Sequence, residues 1–363
     1  MKTDPGVCDC GTPDADSDHD ALLDCEDPAP HGWQRQLTLD GGQIPGNLTH
    51  FALLVQVTDS HLQANAAADG GDIYFTAADR LTVLDFELES YGAATGALVA
   101  WVSMPSLSAN TDSVLYLGYA DGGTGRAKTA NVWSDYRNVW HLAEDPTLGS
   151  NAVHDSTQRA HGTAQGGMPA TARVAAVAGQ GLSFDGSDDQ IEFVNDLTGA
   201  GPSTFSGWVN QAADPITGGD SGSALLSIGD GQSNRARFLL SLAEQSKVKT
   251  GFYNNDELST AVLPTGVWKY LVWVWNGSTS EVYIDGASIK APLARTNVNT
   301  SGTVGRIGGS TFGYDFFLTG LLDEVRIAGS ARTAASITAE YNSQRPGSTF
   351  IKTLSDPMTA AKH

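Results

Sequence analysis

The chain has 363 residues, enough for about two domains of the usual size of roughly 100–200 residues. It contains 41 Gly and only 17% charged residues, a composition typical of short strands joined by tight turns. The formal net charge of −20 argues against a nucleic-acid partner, because contacts with a phosphate backbone need Lys and Arg. No stretch approaches the roughly 18–20 apolar residues of a membrane-spanning helix.

The first 32 residues are acidic and contain few apolar side chains. They hold nine acids and one Lys, a net charge of −8. Alternate carboxylates in a tight loop can converge on one ion, and Ca²⁺ prefers about 6–8 oxygen ligands. We therefore predict a calcium-binding segment over residues 1–32, with a disordered acidic tail as the alternative. The predicted ligands are Asp16, Asp18, Asp20, Asp24 and Asp27.

The acidic pattern DSDHDALLDCED (16–27) resembles the thrombospondin type-3 or dockerin-like calcium loop, with Ala21 at the place of the usual Gly. The flanking Cys8, Cys10 and Cys25 resemble the cysteines of repeats in secreted bacterial surface proteins. The resemblance implies an extracellular or bacterial cell-surface location and calcium as the cofactor. Three cysteines leave the disulfide pairing open.

Residues 33–122 have the texture of an all-β domain. Runs such as WQRQLTL (33–39), HFALLVQV (50–57), LTVLDFELES (81–90) and ALVAWVSM (97–104) are rich in β-branched and aromatic residues, and Gly, Asp or Asn separates them. Several alternate apolar and polar residues, as half-buried strands do. We predict a β-sandwich domain over 33–122.

After a Gly-rich boundary, residues 135–346 contain about ten further strand-like runs, which predict one large two-sheet sandwich. A single helix is expected near the end, because Thr333 can cap it and Ile337 and Tyr341 lie one turn apart. Residues 347–363 are predicted to form a disordered tail.

Two resemblances define the fold expectation more closely. The region 33–120 resembles a bacterial domain family of unknown function that commonly precedes laminin-G-like domains, through GDIYFTAAD (71–79) and LYLGYA (115–120). Residues 139–345 resemble a concanavalin A-like laminin-G jelly roll, through GLSFDGSDDQIEF (181–193) and LLDEVRIAGSART (321–333). The implied fold class is all-β, with two β-sandwich domains of which the second is a jelly roll.

Related jelly rolls often carry one calcium ion where strand ends meet. The resemblance places Asp155 and Asp323 at the matching positions. The alternative is structural, because an Asp in a turn often binds its own backbone.

Candidate ligand-binding residues lie in polar loops of the jelly roll. A sugar site combines an aromatic ring with hydrogen-bonding groups. The tryptophans at 208, 268, 273 and 275 lie inside apolar strands, where core packing is the favoured role. The candidates are therefore Tyr253, Asn254, Asn255, Phe312, Tyr314 and Asp315.

Three patterns suggest catalysis but lack the partners that catalysis needs. Ser221 lies in a GDSG string without the sequence context of a protease histidine. The Gly-rich stretch 122–129 has Ala127 where a phosphate-binding loop needs Gly. The alternating Asp85, Glu87 and Glu89 are explained by a solvated strand face.

The sequence thus predicts a secreted or cell-surface calcium-binding protein that acts in binding or adhesion and not as an enzyme. Carbohydrate is the favoured partner, and another surface protein is possible in its place. A structural spacer or fibre subunit without a small-molecule ligand is the alternative, and a polysaccharide hydrolase is the third possibility.

Overall fold

Strands dominate both of the compact units into which the chain divides. The first unit comprises the residues up to Val132 together with those from Ser348 onward, and the second is Trp133–Gly347. The computed structural model describes residues 32–121, 129–212, 222–242, 247–312 and 316–360.

Among its described residues, the first unit forms two antiparallel sheets. Strands β2, β5 and β4 form a three-stranded sheet, while β1, β6 and β3 belong to the other. Phe75 of β3 contacts Phe86 of β4 with ring centroids 5.3 Å apart, so the two sheets pack face to face. The elements are β1 (Trp33–Leu39), β2 (Leu48–Thr58), α1 (Ser60–Asn65), β3 (Tyr74–Thr76), β4 (Phe86–Gly92), β5 (Ala97–Leu107), β6 (Ser113–Tyr119) and α2 (Thr129–Val132), with a 3-10 helix at Gly41–Gln43.

The second unit is a larger two-sheet sandwich. Its strands are β7 (Asn138–Trp140), β8 (Thr163–Gln165), β9 (Arg173–Ala175), β10 (Gln180–Asp185), β11 (Gln190–Val194), β12 (Ser203–Gln211), β13 (Gly222–Ile228), β14 (Arg237–Leu242), β15 (Lys247–Phe252), β16 (Asn255–Val262), β17 (Trp268–Trp275), β18 (Thr279–Ile284), β19 (Ala287–Ser288), β20 (Leu293–Ala294), β21 (Val304–Ile307) and β22 (Thr319–Ala328). Its helices are α3 (Ala334–Gln344) and 3-10 helices at Pro146–Leu148 and Ala170–Ala172.

One sheet of this unit has nine strands in the order β19-β18-β17-β12-β22-β10-β9, with β20 on β18 and β7 on β22. The other has seven, in the order β16-β15-β14-β13-β21-β11-β8. The core between them is aromatic: Phe252 of the seven-stranded sheet lies 5.6 Å from Trp273 and 5.2 Å from Trp275 of the nine-stranded sheet. The all-β prediction and the core role of these tryptophans are confirmed.

Helix α3 covers the other face of the nine-stranded sheet. Thr333 caps it as predicted, its hydroxyl oxygen accepting the Ser336 amide at 3.2 Å. Ile337 is completely buried in an apolar cluster against which Tyr341 packs. That burial explains why β17 is apolar on both faces, since one side meets the aromatic core and the other meets the helix.

A buried carboxylate fastens α3 to its surroundings. Glu340 accepts hydrogen bonds from the hydroxyls of Tyr136 and Tyr270, both at 2.8 Å. Arg332 forms an ion pair with the same carboxylate. Because all of these groups lie in or near the core, the network fixes the helix position by polar contacts as well as by apolar packing.

The predicted disordered tail is wrong over most of its length. Residues Ile351–Leu354 form β23 and Met358–Thr359 form β24, both paired with β1. They complete a five-stranded sheet of the first unit with the order β23-β1-β6-β3. Phe350 is only 1% exposed and stacks on Phe51 at 5.9 Å. The second unit is therefore inserted between two parts of the first.

No helix among the described residues is long and apolar enough to cross a membrane.

Candidate functional site

The amino-terminal carboxylates predicted to bind calcium lie outside the described residues. Calcium binding by that segment stays a prediction from the sequence pattern. The residues concerned are Asp16, Asp18, Asp20, Asp24 and Asp27.

Asp155 accepts hydrogen bonds from nearby backbone amides and from one side chain. It is completely buried. Its Oδ1 accepts the Val139 amide at 2.9 Å and its Oδ2 accepts the Asn138 side chain at 2.9 Å. The amides of Thr157 and Ala160, each at 2.9 Å, add two further donors. This is the backbone-binding role that the sequence left as the alternative to a calcium ligand, and it leaves neither oxygen facing solvent.

Asp323 has a similar role in another part of the sandwich. Also completely buried, it accepts the amides of Val177 at 2.9 Å and Ala178 at 2.8 Å through Oδ2. Within the described residues, neither Asp323 nor Asp155 belongs to a group of three or more metal-ligating side chains with ligand atoms within 4.8 Å of one another. Calcium binding at these two positions stays a prediction from the family resemblance.

Three other carboxylates do lie close together, at the turn between β10 and β11. Oxygens of Asp185, Asp188 and Asp189 all lie within 4.8 Å of one another. The Asp185 amide donates to Asp189 Oδ2 at 3.0 Å. Burial, and then the negative charge of Asp185 and Asp188, raise the pKa of Asp189. The carboxylates serve the turn itself, since Asp185 Oδ1 also accepts the Ser187 amide at 2.8 Å.

The predicted ligand residues divide between a buried cluster and an exposed loop. Phe312 is only 4% exposed and lies 5.0 Å from both Phe238 and Tyr253 and 5.9 Å from Phe316. It therefore fills an apolar cluster and is no exposed stacking platform, which corrects the sequence prediction. Tyr253 is half-buried at the edge of this cluster. Tyr314 and Asp315 lie outside the described residues.

Asn254 and Asn255 lie at the turn joining β15 to β16, where two further loops meet it. Asn254 Nδ2 donates to Ser233 Oγ at 2.8 Å, and Asn255 Nδ2 donates to Asn234 Oδ1 at 2.8 Å. Asn255 also reaches the carbonyl of Thr296 at 3.1 Å. The three loops thus form one polar surface, here called the asparagine rim and defined by Asn234, Asn254, Asn255, Asn297 and Asn299.

Backbone conformation explains why three of these positions are asparagine. Asn234, Asn254 and Asn297 have φ values of 65°, 58° and 60°, in the left-handed region. Asn tolerates that region far better than other residues with a side chain. A local backbone requirement therefore places several amide side chains at one end of the sandwich. Sequence reasoning found two of the five, because the other three lie in loops that are distant along the chain.

A buried arginine supports the rim from below. Arg237 is completely buried and donates to Thr300 Oγ1 and Ser203 Oγ, both at 2.6 Å. Its Nη2 reaches the carbonyls of Gly199 at 2.8 Å and Gly201 at 3.0 Å. Burial lowers the pKa of Arg237 to about 10, so the side chain stays charged at neutral pH. The guanidinium therefore ties the loops at 199–203 and 300 to strand β14.

A second buried arginine holds the β16 side of the rim. Arg295 Nη1 donates to the carbonyl of Asp256 at 3.0 Å, and its Nη2 lies 3.3 Å from Glu257 Oε1. Glu257 is itself buried, lies 2.9 Å from Lys290 Nζ and accepts the Ser280 hydroxyl at 2.9 Å. Both sides of the asparagine rim therefore rest on buried charged networks.

The rim presents both donors and acceptors. Asn297 and Asn299 are exposed, and their side chains make no hydrogen bond with the described part of the chain. Asn254 Oδ1 and Asn234 Nδ2 also make no hydrogen bond there. The other amide atom of each residue is engaged, Asn254 Nδ2 with Ser233 and Asn234 Oδ1 with Asn255. A surface with both kinds of group suits a ligand whose hydroxyls donate and accept.

Residues 185–338 match the Laminin G model described as the concanavalin A-like lectin/glucanases superfamily. Over this stretch the chain is similar to that superfamily, in agreement with its all-β jelly-roll fold. The match begins at the last residue of β10 and ends within α3. It covers the whole seven-stranded sheet apart from β8 and includes the entire asparagine rim. No curated protein matches the sequence.

Several solved structures share a general likeness with the chain. Domain 4 of the extracellular arabinanase AbnA from Geobacillus stearothermophilus, solved with arabinotriose, is 18% identical over 56% of this chain and 98% of its own, with a TM-score of 0.44. The receptor-binding domain of a botulinum neurotoxin C/D mosaic serotype is 16% identical over 58% of this chain, with a TM-score of 0.43, and the match spans only 52% of that domain. A sialidase from Trypanosoma rangeli is 11% identical over 66% of this chain and 42% of its own, with a TM-score of 0.42.

Proposed function

We propose that this protein binds carbohydrate through the asparagine rim, as a secreted or cell-surface module that acts in recognition or adhesion. The observation that carries the proposal is the convergence of five asparagines from three loops on one surface of a lectin/glucanase-type domain. Lectin-type recognition relies on amides and hydroxyls placed by a rigid scaffold, and here two buried arginines hold the loops.

The charges beside the rim favour binding over hydrolysis. Glycosidases need two carboxylates about 5–9.5 Å apart on either side of the scissile bond. Asp230 accepts the Ser301 hydroxyl at 2.7 Å, Asp256 lies 3.3 Å from Lys249 Nζ, and Glu257 is paired with two cations. The acids near the rim are thus engaged with partners, which supports a site that holds its ligand without cleaving it.

The proposal extends to calcium and location. The spaced carboxylates of residues 16–27 support calcium binding by the amino-terminal segment, and the resemblance of that segment to secreted repeats supports an extracellular setting. The resemblance of residues 33–120 to a companion of laminin-G-like domains is consistent with the same setting.

A glycan array followed by calorimetric titration of the best neutral oligosaccharide tests the rim. Asn297→Gly keeps a residue that tolerates φ of 60° while removing the exposed amide. We expect a loss of about two- to tenfold in affinity, since a ligand hydrogen bond contributes about 0.5–1.5 kcal/mol. Asn110→Gly is the matched control, because Asn110 is also exposed with φ of 53° but lies in the first unit.

The outcomes separate the alternatives. An array without signal, together with self-association that rises with concentration, would favour the structural spacer. Release of reducing sugar from a bound polysaccharide would instead support the hydrolase. Equal loss of affinity in the Asn297 and Asn110 variants would contradict a role for the rim.

A further inference from the structure

A second polar surface of the lectin-type unit forms a groove between the 3-10 helix Pro146–Leu148 and strand β8. Its volume is about 440 Å³. Small-molecule sites usually have about 300–1,000 Å³, so the groove is large enough for a ligand of that class. None of the site residues described above lines it.

The groove is built by local contacts. Asp145 Oδ1 accepts the amide of Thr147 at 2.9 Å and its hydroxyl at 2.7 Å, which fixes one wall. Thr163 Oγ1 accepts the Asn151 amide at 2.9 Å and joins that wall to β8. Gly149 and Gly167 line the opening at φ of 97° and 79°, and a Cβ on either would meet no atom within 4 Å. The positive φ values, which residues with a side chain rarely adopt, explain why both positions are Gly.

The lining has no charged side chain. It consists of Thr, Ser and Gln as the polar residues, and of Gly, Ala, Pro and Met as the apolar ones. Thr147, Ser150 and Gln165 are exposed and offer hydroxyl and amide groups. Met168 is also part of the lining but is buried, at 4% exposure, so the groove offers a ligand mainly polar groups.

We propose that this groove is a second ligand site, for an uncharged carbohydrate unit. Sugar hydroxyls match the exposed hydroxyl and amide groups of the lining, which can both donate and accept hydrogen bonds. An acidic sugar would find no cation in the lining to offset the loss of its hydration, so it is disfavoured. The chemistry of uncharged polyols therefore fits the groove better than that of anions.

The groove and the asparagine rim lie beyond opposite ends of strand β11. Gln190, at the start of β11, is paired with Gln165 of the groove. Asn195, just after its end, donates to the carbonyl of Gly302 in the loop that follows the rim. A strand of five residues spans roughly 15 Å, so the two sites are separate. The inference shares only its ligand class with the proposed function, and the groove can be tested apart from the rim.

Calorimetric titrations of the full chain with arabinotriose, cellotriose and trigalacturonate test the proposal. Ser150→Trp fills the groove from an exposed position, and Ser233→Trp obstructs the rim from an exposed position. Melting curves verify that both variants fold. We expect Ser150→Trp to weaken binding of at least one neutral trisaccharide tenfold or more, and trigalacturonate to bind more weakly than either neutral probe.

The two variants distinguish the two proposals. A loss confined to Ser150→Trp supports the groove and contradicts the rim, and a loss confined to Ser233→Trp does the reverse. Losses in both variants support both sites. Neutral trisaccharides that fail to bind the unmodified chain, or trigalacturonate that binds more tightly than they do, would overturn the groove proposal. As a direct readout, amide NMR shifts of Gly149 and Gly167 should move on adding the neutral probe to the Ser233 variant.

Discussion

Replacement of Phe350 by Ala tests whether the carboxyl-terminal strands are part of the first unit. Phe350 precedes β23, is 1% exposed, and stacks on Phe51 at 5.9 Å. Its carbonyl accepts the Asp40 amide at 2.8 Å, which anchors the segment beside β1. The substitution removes the ring and leaves the backbone contact in place, so it probes the packing alone.

The expected loss is large because the site is closed. Truncation of a buried Phe to Ala usually lowers the free energy of unfolding by about 3–5 kcal/mol, through lost apolar burial and the cavity that remains. An aromatic contact adds about 0.5–1.5 kcal/mol beyond its buried area. We therefore expect the first unit to lose about 3–5 kcal/mol, a large part of the stability of an ordinary domain.

Urea denaturation followed by circular dichroism measures the change, with the two units fitted as separate transitions. Thr353→Ala is the control on β23 itself, because Thr353 is exposed and should change stability by about 0.5 kcal/mol or less. If Phe350→Ala leaves both transitions within 0.5 kcal/mol of the unmodified protein, residues 348–360 do not pack on the first unit and the inserted arrangement is refuted.

The remaining predictions concern the polar networks and the calcium segment. Glu340→Gln should lower the free energy of unfolding of the second unit by about 3–5 kcal/mol in urea titrations, because Arg332 loses its buried partner; an effect under 1 kcal/mol would contradict the network. Burial alone raises the pKa of Glu340, but Arg332 and the tyrosine hydroxyls outweigh it and the net pKa is lowered from 4.5. The carboxylate therefore stabilises the fold fully above pH 4.5, and the difference between this variant and the unmodified protein should shrink as the pH falls through the lowered pKa. Arg237→Met should weaken binding of the oligosaccharide found on the array at least as much as Asn297→Gly does, and unchanged affinity in a folded variant would separate the arginine from the rim. Millimolar Ca²⁺ should raise the melting temperature relative to chelator, by the stabilisation that a native-state ligand provides, and identical curves would count against the amino-terminal site.

The sequence predicted best those features that depend on neighbours along the chain. The alternation of apolar and polar residues predicted the strands. Thr333 and Ile337 predicted the start of helix α3 and its buried face. Asp285 and Gly286 form the turn between β18 and β19 with φ values of 52° and 78°, and Asp-Gly is a pair that such hairpin turns favour. Each of these signals is local, because cap, period and turn chemistry all act within a few residues.

Errors arose where the deciding partner lies far along the chain. Residues 348–360 show no clear alternation of apolar and polar residues, so the sequence did not predict strands there. They form strands by pairing with β1, some 300 residues earlier in the chain. Phe312 lies in a loop with polar neighbours, and Phe238 and Phe316 bury it. An Asp at a position like that of Asp155 can be a metal ligand or can bind nearby backbone amides, and the sequence does not distinguish the two roles. In the structure, the amides of Val139 and Ala160 donate to it.

The asparagine rim shows how one residue type can meet a structural and a chemical requirement together. A left-handed turn alone would be satisfied by Gly, which the chain uses at many other positive-φ positions. At Asn234, Asn254 and Asn297 the chain instead carries amides that reach a common surface. Arg237 lies beneath them and stays charged. Among the described residues, no acidic group accepts its hydrogen bonds, and it donates instead to a Thr hydroxyl, a Ser hydroxyl and two carbonyls. Burial of a charge without a counter-ion is costly, so an arginine at this position is best explained by the need to hold several loops in one arrangement, which is what a preorganised ligand site requires.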